Sequence, residues 1–70
     1  MTKVFIQTPE IRLDALLKFS GLCDTGGQAK ILIQDGLVLL NGATCEQRTK
    51  KIVAGDVVEY DGRAIEVACR

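Results

Sequence analysis

The chain has no histidine and no tryptophan, and its aromatic residues are limited to two phenylalanines and one tyrosine. Without histidine it lacks the commonest general base and the commonest metal ligand. No serine, cysteine or lysine stands in a recognisable nucleophile motif. These absences argue against an active site and against a metal or organic cofactor, and we expect neither.

The chain also lacks any excess of one charge, because nine basic and nine acidic residues balance to zero. No overall electrostatic field therefore attracts it to nucleic acid, so any such binding must come from clustered charges. The densest basic cluster is the stretch Arg48 to Lys51. Three charges in a short run are more often a solvated loop than a binding site, and both interpretations stay open.

Long apolar runs are absent too: nothing approaches the ~20 residues of a membrane span, and the first ten residues have no signal-peptide core. The three cysteines, Cys23, Cys45 and Cys69, are odd in number and far apart. We expect them to be free thiols in a reducing compartment. The sequence therefore predicts a cytoplasmic protein that makes no membrane contact.

What the chain has in quantity is hydrophobic residues, which make up 47% of its 70 positions. A chain of this length has room for one domain, residues 1–70. Apolar residues at helical spacing predict a helix from Arg12 to Ser20, stopped by Gly21. Thr25 and Gln28 fit a capping box that begins a second helix, which Gly36 ends.

Outside the helices the pattern is that of short strands. We predict strands at Lys3–Gln7, Leu37–Leu40, Val57–Tyr60 and Arg63–Val67, with turns at Asn41-Gly42 and Asp61-Gly62. The expected fold is α+β, with two short packed helices on a small antiparallel sheet that the N-terminal strand joins. We expect the three aromatic residues, Phe5, Phe19 and Tyr60, to lie in the core.

The order of these motifs resembles the RNA-binding domain first seen in ribosomal protein S4. The resemblance spans about Arg12 to Val58 and rests on Arg12-Leu13-Asp14, Leu17, Gly21-Leu22, Ala29-Lys30, Ile33, Gly36, Val38, Asn41-Gly42 and Gly55-Asp56. The Gly-Gln-Ala-Lys stretch looks most like the small, stand-alone bacterial members of that family. The resemblance to this family implies the two-helix αL motif and no catalytic domain. It also implies binding of structured RNA, with ribosomal RNA as the ligand and a ribosomal protein as a possible contact. We expect a monomer.

The adjacent glycines Gly26 and Gly27 raise a separate question, because glycine destabilises a helix relative to alanine. Either they permit a sharp entry into the second helix, or they let a phosphate approach its free N–H groups, with Lys30 one turn later neutralising the charge. Asn41 is most simply a turn residue, with a contact to RNA as the lesser interpretation. The predicted RNA-binding residues are Arg12, Lys18, Thr25, Gly26, Gly27, Gln28, Lys30, Gln34, Asn41, Arg48, Lys50 and Lys51.

An alternative function from a different class stays open. Leu37 and Leu39 share one face of the predicted strand, opposite Val38 and Leu40. The strand is then either buried on both faces or presents apolar side chains to a partner. In the second case the chain would be a protein interaction module that docks on a ribosomal or regulatory protein.

Overall fold

Two short helices stand between strands in a chain whose computed structural model describes every residue from Met1 to Arg70. The strands are β1 (Thr2–Ile6), β2 (Ile11–Arg12), β3 (Val38–Leu40), β4 (Ala43–Thr44), β5 (Lys51–Ile52), β6 (Val57–Tyr60) and β7 (Arg63–Cys69). The helices are α1 (Leu13–Phe19) and α2 (Gly26–Gln34). This α+β arrangement confirms the predicted fold class, and the predicted elements agree with it to within one or two residues at most ends.

The main sheet has five strands in the order β1-β7-β6-β3-β4. Both residues of the Asn41-Gly42 and Asp61-Gly62 turns have positive φ, between 52° and 86°. That is the geometry of a type I′ hairpin turn, whose twist matches the strands it joins. These turns link β3 to β4 and β6 to β7, and the β3–β6 pair is antiparallel as well.

The predicted antiparallel sheet with an added N-terminal strand is confirmed, and at one edge that added strand, β1, pairs parallel to β7. A two-residue alternation identifies a strand but carries no information about its direction. A parallel pair needs a long crossover connection, and the two helices and the intervening strands supply it here. β1 is therefore an edge strand with one free side.

A second sheet, which the sequence did not predict, consists of β2 and β5 only. Each strand has only two residues, which is too few for an alternation of apolar and polar side chains to be recognised in the sequence. In this pair Arg12 lies opposite Lys51.

The core lies between the two helices and one face of the main sheet. Leu16 and Leu17 of α1, Ile33 of α2, and Val38 and Val58 of the sheet are each fully buried in one cluster. The alternation of strands places Leu39, Val57 and Glu66 on the opposite face of the sheet, which neither helix covers. The apolar residues whose helical spacing predicted α1 are thus the ones that it buries.

Two of the three aromatic residues lie outside this core, contrary to expectation. Phe5 is 44% exposed and Phe19 is 61% exposed, whereas Tyr60 is half-buried against the core. Phe5 alternates with the inward-facing Val4 and Ile6 along β1. Phe19 is the last residue of α1 and falls outside the helical spacing of its buried leucines.

Candidate nucleic-acid interface

The N-terminus of α2 is held by a complete capping box. The Oγ1 of Thr25 accepts a hydrogen bond from the backbone N–H of Gln28 at 3.1 Å. The side-chain Oε1 of Gln28 reaches back and accepts from the backbone N–H of Asp24 at 2.8 Å. Both predicted site side chains are therefore engaged in fixing the start of the helix.

Neither glycine that follows the cap is required by the backbone. Gly26 and Gly27 have no positive φ. A Cβ built at Gly26 would meet nothing within 4 Å, and one at Gly27 would meet only the Thr25 Oγ1, at 4.0 Å. The sharp-entry interpretation is thus not supported, because alanine would fit at both positions.

The same two residues leave their backbone N–H groups without an acceptor in the chain. The first intrahelical bond of α2 runs from the N–H of Ala29 to the carbonyl oxygen of Thr25. Gly26 and Gly27 precede it, are exposed, and have no side chain in front of their amides. Free N–H groups at the positive end of a helix dipole favour an anion.

The N-terminus of α1 is arranged differently, because the chain itself caps it. The N–H of Leu13 donates to the carbonyl oxygen of Lys50 at 2.9 Å, and that of Asp14 donates to the carbonyl oxygen of Arg48 at 3.1 Å. These bonds tie the basic stretch to the start of α1. Together with the β2–β5 pair, they bring Arg48, Lys50 and Lys51 beside Arg12.

Asp14 organises two of these cations. Its Oδ2 lies 2.7 Å from Nη2 of Arg12 and 3.8 Å from Nη1 of Arg48. Nε of Arg12 also donates to Oδ1 of Asp14 at 3.2 Å, so the contact of Arg12 is bidentate. One carboxylate thus orients two guanidinium groups while neutralising only one positive charge.

A shallow pocket of about 290 Å³ joins α1 to the N-terminus of α2. Arg12, Lys18 and Gly26 line it together with Asp14 and Ala15. Lys30 and Gln34 are exposed farther along α2, with Lys30 one helical turn beyond Gly26. We call this the helix-end pocket.

Six of the nine cations belong to this region, which we call the basic surface: Arg12, Lys18, Lys30, Arg48, Lys50 and Lys51. Four acidic residues cluster in a separate place, the β6–β7 hairpin and its start: Asp56, Glu59, Asp61 and Glu66. The separation of charge is partial, because Asp14 contacts Arg12 and Arg48 and Oε1 of Glu10 lies 3.5 Å from Nζ of Lys51. A local field can attract an anion even though the whole protein carries no excess charge.

Asn41 lies away from this pocket and has an internal partner for each end of its amide. Its Nδ2 donates to Oδ1 of Asp56 at 3.1 Å, and its Oδ1 accepts from the N–H of Val57 at 2.9 Å. Oδ2 of Asp56 in turn accepts from the N–H of Val53 at 3.0 Å. Hydrogen bonds thus join the Asn41-Gly42 motif to the Gly55-Asp56 motif and hold the end of β3 against the start of β6.

The two leucines of the alternative interpretation occupy different surroundings. Leu37 precedes β3 and is 51% exposed, while Leu39 is half-buried on the uncovered face of the sheet. They do not form a buried strand.

The remaining chemistry of the chain is sparse. No cluster of three or more cysteine, aspartate or glutamate side chains could hold a metal ion. Neither helix has the length and apolar content needed to cross a membrane. Cys23 is buried, and that burial raises the pKa of its thiol above the ordinary value, since the thiolate would lose hydration.

Comparison with known proteins decides the family. The model of the S4 domain matches residues 4–68. The chain belongs to the S4 domain family. YbcJ of Escherichia coli (strain K12) is 41% identical over 59 residues, which cover 84% of each chain. The probable ribosome maturation protein RlbA of Bacillus subtilis (strain 168) is 36% identical over 59 residues, covering 84% of this chain and 83% of RlbA.

The solved structures agree with this assignment. The solution structure of YbcJ, described as revealing an αL motif involved in RNA binding, superposes with a TM-score of 0.74 and covers 97% of this chain and 87% of YbcJ, with 36% identity. Ribosomal protein S4e of Thermoplasma acidophilum has a TM-score of 0.62 over 83% of this chain and 31% of its own, at 22% identity, and so shares the fold. The resemblance to the S4 domain is confirmed, and α1 with α2 form its two-helix motif.

Proposed function

We propose that this S4 domain binds structured RNA through the phosphate backbone and performs no catalysis. The observation that carries the proposal is the helix-end pocket. There Gly26, whose backbone N–H has no acceptor in the chain, stands beside Arg12 and Lys18, and the equally unpartnered Gly27 follows it in α2. Two glycines that the backbone does not require, at the exposed N-terminus of α2, fit a site that a phosphate can approach closely.

The rest of the basic surface extends that site along the RNA. Lys30 continues it on α2, and Arg48 and Lys51 continue it on the far side of Arg12. Double-stranded RNA is recognised mainly by shape and by contacts to phosphate and 2′-hydroxyl groups, so scattered cations on a rigid frame suit it. The predicted contacts of Gln34 fit the same face, whereas Thr25 and Gln28 would act by holding the helix end.

The nature of the RNA follows from the relatives. RlbA is named for ribosome maturation, and the structure of YbcJ is described by a motif involved in RNA binding. We therefore take ribosomal RNA in the cytoplasm as the ligand, bound by a monomer. A protein interaction module using the exposed Leu37 is the competing function.

Ultraviolet crosslinking in cells, followed by sequencing of the attached RNA, tests the proposal. We expect the wild-type chain to recover ribosomal RNA above background, and Lys18→Gln to recover much less. Lys3→Gln is the matched control, because Lys3 is an equally simple exposed cation on β1, outside the basic surface. Recovery of no RNA by the wild-type chain, or equal losses for the two variants, would contradict it.

A further inference from the structure

A groove of about 490 Å³ lies at the C-terminal end of β1 and has a different chemistry from the basic surface. Its apolar walls come from Phe5, Ile6, Ile11 and Phe19. Both exposed phenylalanines of the chain thus line a single groove. One exposed apolar side chain is ordinary on a protein surface, but two aromatic rings gathered in one concave site indicate binding.

Polar groups accompany the rings. The guanidinium carbon of Arg70 stands 5.2 Å from the centre of the Phe5 ring, a cation–π distance. The backbone N–H of Arg70 donates to the carbonyl oxygen of Ile6 at 3.1 Å, and this bond holds Arg70 against β1. Gln7 and Thr8 also line the groove, and the amide of Gln7 can both donate and accept hydrogen bonds.

The groove adjoins the basic surface along the chain at two places. Ile11 lines the groove while its neighbour Arg12 lines the helix-end pocket, and Phe19 lines the groove while its neighbour Lys18 lines the pocket. The β2–α1 segment therefore has a cation of the pocket beside an apolar residue of the groove at both of its ends, and at the Phe19 end that residue is aromatic. Phe19 is thus the ring of the groove that directly follows a cation of the pocket in the chain.

We propose that this aromatic groove binds an unstacked base of the RNA, next to the phosphate held at the helix-end pocket. The inference rests on the proposed function and adds to it a preference for RNA with an unpaired nucleotide beside a duplex. Aromatic rings supply stacking energy to any base, and Arg70 supplies a cation for the neighbouring phosphate. A peptide occupant would need neither the cation nor the adjacency to the basic surface.

The test compares two probes, a short stem–loop RNA with a single-stranded uridine tail and the same RNA with abasic sugars in the tail. We expect Phe19→Ala to weaken binding of the uridine probe by about 5- to 150-fold, the range that one lost stacking contact produces. Binding of the abasic probe should not change, because that probe has no base to lose. Phe19→Trp should keep the affinity for the uridine probe.

Leu37→Ala is the matched control, since Leu37 is a comparably exposed apolar residue outside the groove. It should leave both affinities unchanged. Circular dichroism checks that each variant is folded. We expect Phe19→Ala to fold, because the Phe19 side chain is 61% exposed and contributes little to the core. A wild-type chain that binds both probes equally, or a Phe19→Ala variant with wild-type affinity for the uridine probe, would overturn the base site alone. Failure of the wild-type chain to bind either probe would overturn the phosphate surface itself.

Discussion

Gly26→Ala should make the protein more stable and worse at binding RNA. The alanine Cβ would meet no atom within 4 Å, and the position has no positive φ, so the substitution introduces no strain. Replacing glycine under these conditions gains about 0.4–1 kcal/mol, mainly by restricting the unfolded chain. For a domain of this size the gain corresponds to a rise in Tm of about 2–8 °C, measured by a thermal melt.

The same methyl group should interfere with the ligand. It would stand in front of the free N–H groups of α2 and keep a phosphate from reaching them. Loss of a hydrogen bond to a charged group weakens binding by about 1.5–3 kcal/mol, which is roughly 10-fold to 150-fold in Kd. Fluorescence anisotropy with a ribosomal RNA stem–loop measures this change alongside the melt.

Gly36→Ala is the contrasting control. Gly36 has a φ of +75°, and its new Cβ would lie 3.6 Å from Cγ2 of Thr44, so this variant should lose about 1–2 kcal/mol of stability. A Gly26→Ala protein that melts lower than the wild type would refute the claim that the backbone does not need this glycine. One that is more stable but binds RNA with unchanged affinity would refute the phosphate site at the helix end.

Three further changes test other parts of the account. Thr25→Ala removes the cap of α2 and should lower the free energy of unfolding by about 1 kcal/mol in a denaturant titration; an unchanged midpoint would contradict the role of the cap. Asp14→Asn removes the carboxylate that neutralises part of Arg12 and should tighten RNA binding several-fold at low salt, with weaker binding as the contrary result. Iodoacetamide at neutral pH should alkylate the exposed Cys69 well before Cys23, because burial raises the pKa of the Cys23 thiol and leaves less thiolate; equal rates by mass spectrometry would contradict this.

Local chemistry made the helices and their ends predictable. Thr25 and Gln28 carry the cap in their side chains, and Gly36, which was expected to end the second helix, has the positive φ typical of a helix-ending glycine. The Asn41-Gly42 turn was equally predictable from the sequence, because few residue pairs tolerate two successive positive φ values. Each of these features depends on residues within a few positions of one another.

Features that depend on distant residues were not predictable from the sequence. The parallel pairing of β1 with β7 joins the two ends of the chain, and no local pattern records the direction of a strand. The exposure of Phe5 and Phe19 depends on which neighbours complete the core around them. The same limit applies to Asp14, whose bond to Arg12 could be guessed from their spacing but whose contact with Arg48 could not.

The candidate site illustrates both cases. Its residues were predicted one at a time from motifs, but their grouping required the fold, because backbone bonds and the Arg48–Asp14 ion pair bring the loop of Arg48 and Lys50 to α1. The grouping of Arg12 with the basic stretch Arg48 to Lys51 is likewise a property of the folded chain. A net charge of zero contains no trace of it.

The salt dependence of RNA affinity shows whether RNA phosphates bind the basic surface. If the basic surface and the helix-end pocket make about three to five phosphate contacts, the logarithm of the association constant should fall against the logarithm of salt concentration with a slope of about 2–4.5. Lys30→Gln should lower that slope by about one and weaken binding to every RNA sequence alike, while Lys3→Gln should leave it unchanged. An association with RNA that barely responds to salt, or a Lys3→Gln variant that loses as much slope as Lys30→Gln, would contradict the account.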